Sequence, residues 1–155
     1  MTAVETVTFF CPGVPVAGGS KRFVGIGKNT GRAILVDAGG VRNKAWRSVV
    51  ATVGAGAMEG RQLLHGALRV EFDFVLPRAK GHFGKRGLLG AAPKYPMTRP
   101  DCSKLIRAVE DALTKVVWAD DAQIVQQVGV KRYAGEDGKI GCWVTVTEPQ
   151  EEMPF

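Results

Sequence analysis

Apolar positions recur along this chain at two periods, and together they divide it into short strands and two helices. Residues 4–10 are rich in β-branched and aromatic side chains and predict a first strand. Residues 23–26 and 33–36 predict a hairpin around the turn-forming stretch 27–31. Trp46, Val49, Val50 and Val53 fall at helical spacing within 43–53, and the Gly- and Ala-rich stretch 54–60 is expected to end that helix. In 67–76 the alternation is clean. Leu68, Val70, Phe72 and Phe74 share one face and Arg69, Glu71 and Asp73 the other, which predicts a half-buried strand. Leu105, Val109, Ala112, Leu113 and Val116 form the apolar stripe of a second helix, entered through Pro100 with Asp101 or Ser103 as its cap. Residues 122–133 read as a strand, and 140–147 as its antiparallel partner across the Glu136-Asp137-Gly138 turn. This order predicts an α+β domain over residues 1–148, a mixed sheet with helices packed against it, followed by a short acidic tail at 149–155.

Length and composition narrow the class. A chain of 155 residues with 45% hydrophobic content supports one domain with a core. No apolar run approaches the ~20 residues of a membrane span, and no basic-then-apolar leader opens the chain, so a cytoplasmic protein without membrane partners is expected. Cys11, Cys102 and Cys142 are an odd number without ligand-like spacing, and are expected to be reduced thiols.

Charge changes the picture more. The net charge is +6 and the pI about 9.5, which favours an anionic partner. Residues 17–47 carry seven Lys/Arg against one acid, and residues 76–107 carry eight against one. The 77–97 stretch, with three prolines and dispersed cations, is a long connection of the kind that carries function or disorder. Lys21, Arg22, Arg78, Lys80, Lys85 and Arg86 are the candidate phosphate contacts, with Lys131 and Arg132 extending the surface. Phe83 and Tyr95 are candidates to stack or wedge on bases. The plainer alternative is that these are simply solvated faces.

Residues 99–121, RPDCSKLIRAVEDALTKVVWADD, concentrate the candidate chemistry. Opposite the apolar stripe, Ser103, Arg107, Glu110 and Thr114 fall within about 60° of one another at ~100° per residue. This polar face lies between Asp101 at one end and Asp120 and Asp121 at the other, a plausible place for a divalent cation. RPDCSKLIRAVEDAL followed by VVWADDAQI resembles the RusA family of Holliday-junction resolvases, common in phages and prophages, whose pattern runs roughly PDxDNLxKxxxDAL and then DDxQI. The Pro-Gly-x-Pro element at 12–15 is similar to the family's opening.

The resemblance implies a homodimeric, magnesium-dependent endonuclease, with manganese as a possible substitute, that cuts four-way DNA junctions by paired nicks. It places Asp101 and Asp121 as catalytic metal ligands with Asp120 beside them, and Arg107 where the family has a functional lysine. Asp111 and Gln123 match the DAL aspartate and the glutamine after the acidic pair. Two departures stand out: Ser103 replaces the second aspartate of the DxD pair, and Lys104 replaces asparagine. A hydroxyl is a weaker ligand for a hard cation than a carboxylate. Glu110, two helical turns beyond Ser103, is the first candidate to replace the lost ligand, and Glu71 and Asp73 are the second. The alternative is a non-catalytic dimer that binds branched DNA through a degenerate metal site.

Overall fold

The computed structural model describes residues 5–18, 21–37 and 40–151. Its centre is a four-stranded sheet made from β1 (Val7–Pro12), β4 (Leu68–Leu76), β7 (Ile124–Tyr133) and β8 (Gly141–Thr147). Their order across the sheet is β1-β8-β4-β7. β8 is antiparallel to both β1 and β4, while β4 and β7 run parallel. The architecture is therefore α+β with a mixed sheet, as the periodicity implied.

Period-two alternation decides which face is covered. Leu68, Val70, Phe72 and Phe74 of β4 join Val7, Phe9 and Cys11 of β1 and Cys142, Val144 and Val146 of β8 in one buried layer. Two helices close over it, α1 (Gly40–Ala57) and α2 (Cys102–Leu113). α2 contributes Leu105, Ile106, Ala108, Val109, Ala112 and Leu113. Each fully buried Leu or Phe in this layer is worth about 1.5–3 kcal/mol relative to exposure. Trp118 is the largest fully buried side chain, a core position outside the periodic stripe. It follows a turn in which its Nε1 donates to Thr114 Oγ1 at 3.2 Å.

Two helix expectations need adjustment. α1 runs through the glycines expected to stop it, because Gly54 lies in the crossing with α2. A Cβ there would sit 2.6 Å from Leu113 Cδ2, so the missing side chain is what lets the helices approach. Val49 is exposed, and Asn43 takes an inward position instead, its Nδ2 donating to Ala17 O at 2.9 Å. α2 ends at Leu113, leaving Val116 in the turn that follows.

The larger correction concerns the last two strands. β7 and β8 do not form the predicted hairpin with each other, because β4 lies between them. Composition explains the separation. β8 offers a fully apolar inner row, which suits an interior strand, whereas β7 carries Gln126, Gln127 and Gly129, which suit an edge. α2 lies close against that edge, and a Cβ on Gly129 would fall 2.5 Å from Ile106 Cδ1.

The predicted hairpin forms as β2 (Lys21–Ile26) and β3 (Ala33–Asp37), an antiparallel pair separate from the main sheet. The 77–97 stretch holds a short 3-10 turn at Lys80–His82 and a two-stranded ribbon, β5 (Phe83–Gly84) with β6 (Gly87–Leu88). Cys11 and Cys142 face each other across β1 and β8 as free thiols. Burial pushes Cys11 up to about 12 and Cys142 higher still, so both stay protonated and inert. Among the described residues no helix is long and apolar enough to cross a membrane.

Candidate functional site

The acidic pair sits in a turn whose geometry is set by its own side chains. Asp120 caps the short 3-10 helix Asp121–Gln123, its Oδ1 accepting from the Ala122 amide at 2.8 Å. Gln123 locks the same turn from the other side. Its Oε1 accepts from the amides of Ala119 (3.0 Å) and Asp120 (2.9 Å). Its Nε2 donates to the carbonyl oxygens of Leu64 and Gly66, both at 3.0 Å. One carboxylate oxygen of Asp120 is thereby committed to the backbone. Asp121 is exposed and its carboxylate takes no hydrogen bond or ion pair among the described residues, so it is the more available of the two.

Glu110 belongs to this end. It lies half-buried on α2, and Gln127 Nε2 of β7 donates to its Oε1. Burial raises its pKa above the ordinary value, the Gln127 hydrogen bond pulls it down, and the negative charges of Asp121 and Asp111 raise it further. Glu110, Asp111 and Asp121 thus make a local concentration of negative charge near the C-terminus of α2.

Asp101 occupies the opposite end. It holds the N-cap position of α2 without a capping hydrogen bond from its side chain, and its Oδ2 lies 3.7 Å from Lys104 Nζ. The Arg99–Pro100 peptide before it is cis. Lys131 near the end of β7 donates to Thr98 O at 2.8 Å and Pro100 O at 3.0 Å, so β7 and α2 run in opposite senses. The 12 residues of α2 span roughly 18 Å at ~1.5 Å per residue. Along β7, the run from Ile124 to Lys131 covers roughly 23 Å at ~3.3 Å per residue. Asp101 and Asp121 are therefore separated by about the length of the helix. Among the described residues no three His, Cys, Asp or Glu side chains gather closely enough to hold a metal within one chain. Glu110 falls with Asp121, not with Asp101 and Ser103.

The cations divide into committed and available groups. Arg78 lies over the Tyr133 ring, 4.3 Å from its centroid, and its Nη1 donates to Pro93 O at 2.8 Å. His82 meets the same ring edge-on at 5.3 Å. Arg78 and Lys131 thus spend much of their donor capacity holding the basic loop and the entry to α2. Arg132 pairs with Asp73 at 3.0 Å on the outer face of the sheet, and Arg69 with Glu71 at 2.7 Å. Those ion pairs leave Glu71 and Asp73 on the face opposite the helices, away from Asp101. Lys80, Lys85, Arg86 and Arg107 are exposed. Lys21 and Arg22 fall in β2 by backbone, and their side chains lie outside those described. Phe83 and Tyr95 are exposed on the loop. Trp143 stands on the outer sheet face against Phe10, ring centroids 4.9 Å apart.

Sequence reasoning left two site residues without a physical role, Gln123 and Gln127. Each bonds across the fold, Gln123 to the loop before β4 and Gln127 to α2, and such pairings leave no local periodic signal. The chemistry available is that of exposed carboxylates at both ends of one helix, flanked by a cationic loop. Carboxylate oxygens suit a hard divalent cation, but one chain presents them in two separate groups. The model of a protein family described as endodeoxyribonuclease RusA matches residues 12–145, a span that takes in both ends of α2 and the basic loop. Comparison with curated proteins gives no match.

Proposed function

The chain belongs to the RusA endodeoxyribonuclease family, and on that premise we propose that it resolves four-way junctions by paired symmetrical nicks, as a homodimer that uses magnesium, or manganese in its place. Membership makes it an endonuclease of branched DNA. The metal, the dimer and the residue roles are the finer part of the reading.

The observation that carries this finer part is the placement of charge along α2. Its exposed positions run from Lys104 and Arg107 to Asp111, with half-buried Glu110 beside them. A twofold axis that lays two copies of α2 antiparallel sets the basic end of each helix against the acidic end of the other. The same operation brings Asp101 of one copy toward Asp121 and Glu110 of the other. Two equivalent sites result, one for each strand to be cut.

Within such a site Asp101 and Asp121 are the principal ligands. Asp120, held by its capping bonds, fixes the direction of Asp121. Glu110 supplies the carboxylate that Ser103 lacks. Arg107 brings a guanidinium that stabilises negative charge on the phosphate being cut. Magnesium, when bound, activates the attacking water and neutralises the leaving oxygen. Lys80, Lys85 and Arg86 hold a DNA arm by its backbone. The rival reading is a dimer that binds branched DNA without cutting it, and Ser103 is the observation that favours it.

A mixing experiment separates these readings. Asp101→Asn and Asp121→Asn are each expected to be inactive on a labelled four-way junction with magnesium. Co-refolded as a mixed dimer, they recover one intact site, which nicks a single strand. Inactivity of the mixture beside an active wild type places each site within one chain. Tight junction binding by the wild type without cutting, in magnesium or manganese, establishes the binding protein instead.

A further inference from the structure

A cavity of about 710 Å³ lies beside Asp101, and none of the roles above uses it. Its volume is within the ~300–1,000 Å³ of sites that enclose a small organic group. The segment after β1 and the Pro77–Met97 loop form its sides, and Pro100, the residue before Asp101, reaches its lining. The floor is apolar, with Val16 and the buried Leu76. Tyr133, His82 and Tyr95 supply rings, and Arg42 of α1 and Arg99 supply cations.

The aromatic wall is held in place. Tyr133 is fixed by the Arg78 guanidinium 4.3 Å from its ring centroid and by the His82 ring, nearly perpendicular to it with centroids 5.3 Å apart. Arg78 in turn donates to Pro93 O, which ties the far side of the loop to the same wall. Tyr95 is 59% exposed, a ring presented to an incoming group rather than packed into the core.

Flat rings over an apolar floor suit a nucleobase, and neighbouring arginines suit the phosphate attached to it. This combination is what single-stranded or unpaired nucleotides require, because a base inside a duplex has its faces already stacked. Resting on the assignment to branched DNA, we propose that the cavity takes one unpaired nucleotide from the branch point, its base stacked on Tyr95 and its phosphate against Arg42 and Arg99. Pairing at the branch is weakest, so the cost of drawing a base out is least there. A nucleotide held beside Pro100 lies next to Asp101, and so positions the neighbouring phosphodiester for cutting. The cavity is thereby a positioning site for the substrate and a means of telling a branch from plain duplex.

The test compares binding of an intact four-way junction with one carrying abasic residues at the branch point, without divalent metal so that neither is cut. The wild type is expected to prefer the intact junction by roughly tenfold, the scale of one base–aromatic stack. Ala79→Trp fills the cavity from its exposed rim, and Tyr95→Ala removes a stacking ring. Both are expected to bind the two junctions equally, at the wild-type affinity for the abasic one, with unchanged thermal unfolding. Abasic residues also loosen the junction, so the difference between wild type and variants carries the result. A preference that survives Ala79→Trp, or that the wild type never shows, overturns the proposal. Binding of a free deoxynucleoside monophosphate that Ala79→Trp abolishes, without any preference between junctions, assigns the cavity to a free nucleotide and overturns it too. No preference of the wild type for junction over duplex removes the premise itself, a result read before any variant is made.

Discussion

Gln123 is where one substitution should report most directly on how the acidic turn is held. Its amide makes four hydrogen bonds, two accepted from backbone amides and two donated to carbonyls across the fold. Gln123→Ala removes all four. The bonds to Ala119 N and Leu64 O are partly buried, and each is worth about 1–1.5 kcal/mol net. The bonds to Asp120 N and Gly66 O are exposed, so water recovers most of their value and leaves a few tenths of a kcal/mol each. The expected loss is about 3 kcal/mol, which for a chain of this size lowers Tm by roughly 6–12 °C. Gln123→Glu sharpens the argument because it keeps the shape and an accepting oxygen but points a carboxylate at two carbonyls. At neutral pH it is expected to be at least as destabilised as Gln123→Ala, and to recover as the new carboxyl is protonated in acid. Urea and thermal unfolding of both variants measure the effect. Stability within ~0.5 kcal/mol of wild type for Gln123→Ala, or a neutral-pH advantage for Gln123→Glu, would refute the account of the turn.

Two further expectations follow from the same charges. Because the folded-state pKa of Glu110 is raised, chiefly by burial, its ionised form costs stability above that pKa, and the cost disappears as pH falls through it. Without metal, Glu110→Gln, which keeps an oxygen for Gln127, should therefore be more stable than wild type at pH 7, with the advantage gone below the ordinary value of 4.5 in urea titrations. Replacing Lys80, Lys85 and Arg86 together by alanine should weaken junction binding and lower the slope of log K against log salt by about 2.7, at ~0.9 per phosphate contact, in a salt-series binding assay.

Much of the fold was legible because its signals are local. The stripe of α2 and the alternation of β4 are written at fixed short spacing, and each places its residues on the correct face of the core. The insertion of β8 between β1 and β4 was not legible, since pairing a strand with partners far away in the chain leaves no periodic mark. The motif around α2 was readable as a set of residue types. Its two-ended layout follows from the helix length, which holds Asp101 and Asp121 apart whatever their proximity in the pattern. The cations were legible as a population but not one by one. A lysine reads the same whether its ammonium meets a phosphate or, as Lys131 does, two carbonyl oxygens.

The position of β8 also dictates the timing of folding during synthesis. β1 and β4 are made early, yet each needs β8 as a neighbour, and Val7 finds its partner only in Val146. While the ribosome is still working through α2 and β7, the inner rows of β1 and β4 have no strand between them. Their Val, Phe and Leu side chains stay open to any hydrophobic surface nearby, including that of a chaperone or another nascent chain. Late, long-range pairing of this kind also slows the final step. The sheet of this nuclease closes only after β8, the strand that joins β1 to β4, has left the exit tunnel.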